Sequence, residues 1–191
     1  MNLDEDRLRA KVQPEAIGTT MLRAACFLAG WELIKAEVED KVRGFYLTGF
    51  DESGLTYDEA SYRTHVLSRD RQRFKASSSW LVASGGLTSE QADLLEIIRH
   101  HRNEVAHELP RLLVDPDFEV RTDLLIASLD CLRSLGIFWG SIEVDTNPDI
   151  DGREVDYGGI KSMSFMLMEY LVTLVGIAND ELGTAEVDDE Q

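Results

Sequence analysis

The sequence predicts an all-α protein, an up-and-down bundle of five helices with a long first helix. Three observations carry that expectation. Apolar residues recur at steps of three and four through five separate stretches. No run alternates apolar and polar residues as a half-buried strand does. The stretches are parted by breaks marked with Gly, Asp and Pro, and the 43% hydrophobic content over 191 residues suits one globular domain. The expected layout is a flexible acidic N-terminus at 1–12, a single helical domain at 13–178 and a disordered acidic tail at 179–191.

Pro14 suits a first helical position. Ile17, Met21, Ala24, Leu28, Trp31, Val38, Val42 and Phe45 then form one stripe, with Lys35 in the missing place, so the first helix is expected at about 14–46. Ala24, Ala25, Ala29 and Gly30 give it a smooth patch that another helix can approach. Residues 47–57 hold Gly49, Asp51, Ser53 and Gly54 and read as a loop. The second helix is expected at about 58–83, with Tyr62, Val66, Phe74, Trp80 and Leu81 as its apolar contacts and Gly85-Gly86 as its stop. Thr88 and Gln91 match a capping box, which starts the third helix near Ser89. Its stripe is Leu94, Ile98, Val105 and Leu109, and Pro110 ends or kinks it at 106–110. Asp115-Pro116 reads as the start of the fourth helix, expected at about 117–142. An acidic loop follows over 144–159, then a fifth helix at about 160–178. That helix is apolar nearly all round and is expected to be central.

The most apolar run, 163–178, is broken by Ser164, Glu169 and Thr173 and is shorter than the roughly 20 apolar residues that cross a bilayer, so no membrane partner is expected. The acidic first residues lack a signal-peptide core, which points to the cytoplasm. Cys26 and Cys131 sit in apolar helical patterns and read as buried free thiols. A net charge of −17 is the wrong sign for an ordinary nucleic-acid binder. The acids are unevenly spread, however: fifteen of the 36 fall in the two termini and the 144–159 loop. Arg63, Arg69, Arg71, Arg73 and Lys75 form the opposite concentration, with only Asp70 among them. This run reads either as a solvated face or as a track for phosphates. His65 beside it reads as surface.

The stretch Arg99-His100-His101-Arg102-Asn103-Glu104-Val105-Ala106-His107 holds three of the four histidines. At about 100° per residue, Arg102 lies at the edge of the core stripe, while Glu96, Arg99, Asn103 and His107 form a polar row. His100 and His101 point to different faces. The histidine spacing and the neighbouring acids do not form a recognisable ligand set, so neither a metal nor a cofactor is expected. Arg102, beside an apolar stripe, must pair with an acid such as Glu32 or Glu37, or face a cleft. A histidine titrates near pH 6.5, about right for a general base at neutral pH. A guanidinium binds phosphoryl oxygens in bidentate fashion. Arginine, amide and histidine within two helical turns therefore suit phosphate chemistry. Taken alone, His107 is equally a C-terminal helix histidine stabilised by the helix dipole.

Arg102-Asn103-Glu104-Val105-Ala106-His107, late in a helix after Leu94-Leu95-Glu96-Ile97-Ile98-Arg99, resembles the signature of the HEPN superfamily (higher eukaryotes and prokaryotes nucleotide-binding). That signature is an arginine, usually a polar residue next, and a histidine after four to six intervening residues. The resemblance is sharp over roughly 88–109 and architectural elsewhere. It implies a HEPN-like bundle and a homodimer with the active site at the dimer cleft. It also implies a metal-independent endoribonuclease, with Arg102 and His107 as the catalytic pair and Asn103 assisting. Attack by the RNA 2′-hydroxyl would leave a 2′,3′-cyclic phosphate. Arg99, His100, His101, Arg63, Arg69, Arg71, Arg73 and Lys75 are the expected RNA contacts. The implied setting is a toxin–antitoxin or antiviral defence system, with an antitoxin of nucleotidyltransferase type or another defence protein as partner. The alternative is a non-catalytic HEPN module that binds a protein or nucleotide in a defence or regulatory complex. A weaker third reading is an antitoxin or immunity protein whose acidic surface mimics nucleic acid.

Overall fold

The computed structural model describes the backbone of residues 3–52, 54–150 and 153–188, with side chains described as far as Gly176. It is mostly helical and carries one small two-stranded hairpin. In order, the elements are α1 (Leu3–Lys11), α2 (Pro14–Lys35), a π-helical turn (Ala36–Asp40), α3 (Lys41–Gly44), β1 (Leu47–Asp51), β2 (Gly54–Tyr57) and α4 (Glu59–Tyr62). A second π turn (Arg63–Leu67) leads to α5 (Arg73–Ala83), α6 (Ser89–His107), α7 (Leu109–Val114), α8 (Thr122–Thr146), a 3₁₀ turn (Tyr157–Gly159) and α9 (Met163–Asp188).

The chain divides into two compact units where one domain was expected. The first comprises residues 1–31, 97–127 and 167–191, and the second 32–96 and 128–166. In the first unit the core holds Ala24, Phe27, Ile98, Val105, Leu112, Leu124, Leu125 and Met168. In the second it holds Ile34, Val38, Val42, Val66, Trp80, Leu81, Leu95, Leu132, Leu135 and Trp139. Both free cysteines are buried, and burial pushes the Cys131 thiol up to about 12.

Several expectations need correction. The predicted loop at 47–57 is an antiparallel hairpin, with Phe50 opposite Leu55 and Gly54 at φ 117° in the turn. Thr48, Phe50, Thr56 and Tyr57 are strand formers, and the Thr48 hydroxyl donates to the Thr56 carbonyl at 3.1 Å. The predicted helix at 58–83 breaks at 68–72. There the Asp70 carboxylate accepts the Gln72 N–H at 2.7 Å, closing an Asx turn ahead of α5. Asp115-Pro116 starts no helix. Asp115 ends α7, takes the Asp117 N–H at 3.0 Å, and α8 begins at Thr122. The fifth helix is not enclosed, since Met163, Met166, Leu167 and Tyr170 are all exposed.

The acidic segment expected to be flexible carries α1, tied down by Arg7 donating to Asp117 at 2.6 Å and by Lys11 to the Phe118 carbonyl at 3.1 Å. At the other end, the backbone of α9 runs to Asp188, and residues 189–191 lie outside the described residues. Two helical stretches, Pro14–Gly44 and Thr122–Thr146, reach the length and apolarity of a membrane span. A core helix has the same composition.

The first helix keeps its expected extent but changes its face. Within Ala36–Asp40 the hydrogen bonds widen, the Lys41 N–H reaching back to the Ala36 carbonyl. This π turn shifts the phase, so Glu37 and Val38 both face inward. Met21 and Phe45, placed on the stripe by their spacing, are exposed.

At Gly30, a member of the expected small-residue patch, size decides the packing. A β-carbon there would lie 2.6 Å from Leu125 Cδ1 and 3.0 Å from Met168 Cε, both on buried side chains. Gly30→Val is expected to destabilise by about 1–3 kcal/mol through overpacking, despite relief of the glycine entropy cost. A thermal midpoint at or above that of the wild type would contradict this contact.

Candidate functional site

α6 begins as its sequence indicates. The Gln91 N–H donates to Thr88 Oγ1 at 3.2 Å, and the Gln91 side chain accepts from the Thr88 N–H at 2.9 Å, completing the capping box. The helix ends at His107, three residues before Pro110, which occupies the first turn of α7. Leu95, Ile98, His101 and Val105 are buried along one face at steps of three and four. His101 therefore takes a core position in this stripe.

Arg102 and Asn103 are half-buried, and His107 is exposed. The Arg102 Nη1 donates to Asn103 Oδ1 at 3.3 Å, so guanidinium and amide form one polar pair on the helix surface. His107 stands four residues after Asn103, one helical turn further on. Its ring has no hydrogen-bond or ion-pair partner among the described residues. Glu37, one of the acids considered for Arg102, is engaged elsewhere. It is 3% exposed, lies 3.1 Å from Lys41 Nζ and accepts the Ser164 hydroxyl at 2.7 Å.

The three histidines of the stretch part ways. His100 is exposed, with Nε2 3.5 Å from Arg99 Nη2. His101 is 6% exposed and packs edge-on to Phe27 at 5.0 Å. Its Nε2 accepts the Arg121 backbone N–H at 2.9 Å, which assigns the ring proton to Nδ1, 3.0 Å from Glu104 Oε2. Both nitrogens are engaged, so this histidine is a structural tie between α6 and the start of α8 and has no atom left for RNA. Its ring and Glu104 edge a pocket of the first unit that is lined besides by Arg7, Arg111, Asp117, Glu119 and Arg121, with Pro116 and Phe118 among them. Sequence reasoning missed Glu104 as a partner, although His101 and Glu104 stand at i,i+3 spacing. His101→Ala orphans the Arg121 N–H and is expected to destabilise by about 1–3 kcal/mol. An unchanged denaturation midpoint would refute that role.

The basic run separates into two groups. Arg73 lies 3.4 Å from Glu39 and 3.8 Å from Asp40, and Lys75 lies 3.5 Å from Glu96. Burial pushes the Glu39 carboxyl up, while Arg73 and Lys35 pull it back down. Arg63, Arg69 and Arg71 are exposed and make no ion pair among the described residues. Arg69 instead donates to the His65 carbonyl at 2.6 Å, which holds the 68–72 turn. With Leu67, Ser68, Asp70, Gln72 and Lys75, Arg69 and Arg71 line an open pocket in the second unit.

No group of three or more His, Cys, Asp or Glu with metal-binding geometry occurs among the described residues. Comparison with family models, with curated proteins and with solved structures finds no match for this chain.

Proposed function

We propose that the chain is a metal-independent endoribonuclease of HEPN type. It would act as a toxin or defence effector in the cytoplasm, with its helices arranged as a HEPN-like bundle. The observation that supports this most directly is the C-terminal half of α6. A guanidinium and an amide are hydrogen-bonded there at 3.3 Å, and an uncommitted imidazole stands one turn beyond. In this reading Arg102 holds the scissile phosphate and stabilises the charge that builds up on its oxygens. His107 takes the proton from the RNA 2′-hydroxyl, and Asn103 orients the guanidinium or a phosphate oxygen. The 2′-oxygen attacks phosphorus, the bond from phosphorus to the 5′-oxygen breaks, that oxygen takes a proton from water, and a 2′,3′-cyclic phosphate remains.

An exposed imidazole at a helix end has freedom to turn, so a second protomer in a dimer cleft would fix its aim. Arg99, His100, Arg63, Arg69 and Arg71 are the groups that this reading sets against RNA. Arg73 and Lys75 already face carboxylates, and His101 is turned inward. An antitoxin, of nucleotidyltransferase type or another defence-system protein, would restrain the activity.

The test is incubation of labelled RNA with the purified protein in EDTA, beside a substrate carrying a single 2′-deoxy substitution at the cleavage site. Cleavage of the first with a cyclic-phosphate end, and none at the deoxy position, is the expected result. Intact RNA under all conditions overturns the reading. The non-catalytic module is the second reading, and the excess of acids favours it: Glu104 and Glu108 both stand exposed beside the motif. Under that reading RNA stays intact while a protein or nucleotide ligand binds.

A further inference from the structure

Of the four histidines, His101 alone is buried. Histidine is the side chain whose charge ordinarily changes between pH 5 and 8. The tie to Arg121 needs a bare Nε2, because a protonated ring nitrogen cannot accept an N–H. On the other side of the ring, Nδ1 lies 3.0 Å from the exposed Glu104 carboxylate, so a charged ring has its counter-charge in place. Arg121 therefore holds the neutral ring and Glu104 the charged one, through opposite nitrogens. The remaining charges around the ring are mostly committed in pairs. Arg7 meets Asp117, Arg111 meets Glu108 and Asp115, and Arg121 meets Asp123, while Glu119 stands exposed. α2 presents the uncharged Phe27 to the ring, with Arg23 one helical turn earlier.

What this tie holds is a strap. Residues 115–121 bury only Val120, and α1 buries none of its residues. α1 is fastened to that segment, by Arg7 to the Asp117 carboxylate and by Lys11 to the Phe118 carbonyl. We infer that His101 is a pH-operated latch: protonation of Nε2 gives up the Arg121 N–H, and residues 115–121 loosen from α6 together with α1. The direction follows from the hydrogen bond. The neutral ring makes it and the charged ring does not, so the strap is closed at neutral pH and loosens as the pH falls. The carboxylates that shape the segment do not share this window. The Asp117 N–H and then Arg111 hold Asp115 below the usual carboxylate range, and Arg121 does the same for Asp123, so both keep their charge. The latch uses no group assigned to RNA chemistry and does not rest on the ribonuclease reading.

The experiment is amide hydrogen exchange on the full chain, read residue by residue by NMR between about pH 7.5 and about pH 5.5. Rates are expressed against those of a free peptide, which removes the ordinary pH dependence of exchange. The Arg121 amide is expected to lose about tenfold or more of its protection over this range, and the amides of α1 to lose theirs in step. His101→Gln places an oxygen near the position of Nε2 and takes no proton, so its Arg121 protection should stay flat. Glu104→Gln changes an exposed side chain, should fold as wild type does, and removes the counter-charge, so its loss should come at lower pH. His65, His100 and His107 are common to all three proteins, and their titration cancels. Flat protection at Arg121 in wild type overturns the latch. So does a wild-type pH dependence in His101→Gln, or a midpoint in Glu104→Gln that is not lowered. Loss at Arg121 with α1 unaffected overturns the strap. Should His101→Gln fail to fold, wild type and Glu104→Gln still decide the matter.

Discussion

His107→Ala is expected to lower the rate of RNA cleavage by about 10²–10⁴-fold, the range that a positioned general base contributes. The fold should not register the change, because the ring is exposed and has no partner among the described residues. Far-UV dichroism and the thermal midpoint should therefore match wild type. Arg102→Ala is expected to fall at least as far in rate, and Arg102→Lys to recover little, since an ammonium cannot grip two phosphoryl oxygens at once. Asn103→Ala should lie between, because its amide oxygen holds one guanidinium nitrogen. Cleavage by His107→Ala at the wild-type rate would remove this residue from the chemistry. Cleavage lost together with helicity would show that the end of α6 had come apart, and His107→Gln would then separate the two effects by keeping a side chain of similar reach.

What could be read from the sequence followed from how locally each feature is determined. The start of α6 was legible because Thr88 and Gln91 are three residues apart and each side chain bonds the other's backbone N–H. Its end was legible because Pro110 forbids continuation. The place of His107 near the helix end followed from Pro110 as well. The burial of His101 was not legible. Its position at i+3 from Ile98 and i−4 from Val105 belongs to the core stripe, but its acceptor bond comes from Arg121, twenty residues away. A polar residue in a core position is told from a surface one only by its partner. The π turn at 36–40 was hidden for a similar reason. Its buried Glu37 carboxylate accepts the hydroxyl of Ser164, 127 residues away. The neutralisation of Arg73 by Glu39 and of Lys75 by Glu96 likewise joins separate helices. The hairpin was misread for a different reason. Three of its nine strand residues are Gly or Asp, and it buries no face that would impose alternation.

Trp80→Ala is expected to be the most destabilising single change in the second unit, by about 3–5 kcal/mol. The side chain is 8% exposed and meets aromatic rings on several sides. It stacks on Trp139 at 6.1 Å with 14° between the planes, and meets Phe45 at 5.3 Å, Phe138 at 6.3 Å and Tyr46 at 6.3 Å. Removing the indole leaves a cavity that these rigid rings cannot close by rotating, so both transfer and cavity costs are felt. Trp139 is pinned besides, its Nε1 donating to the Glu37 carbonyl at 3.1 Å inside the π turn. Loss of the stack should therefore loosen the carbonyl that the π turn presents. Against a total stability of about 5–15 kcal/mol for a native protein, such a loss leaves little margin. Urea denaturation followed by fluorescence of the remaining tryptophans, with Trp80→Phe as the milder control, measures the cost. A midpoint for Trp80→Ala equal to that of Trp80→Phe would mean that the ring cluster repacks. Phe50→Ala supplies the opposite control. The same class of side chain, exposed on the hairpin instead of stacked, should leave the protomer's stability unchanged.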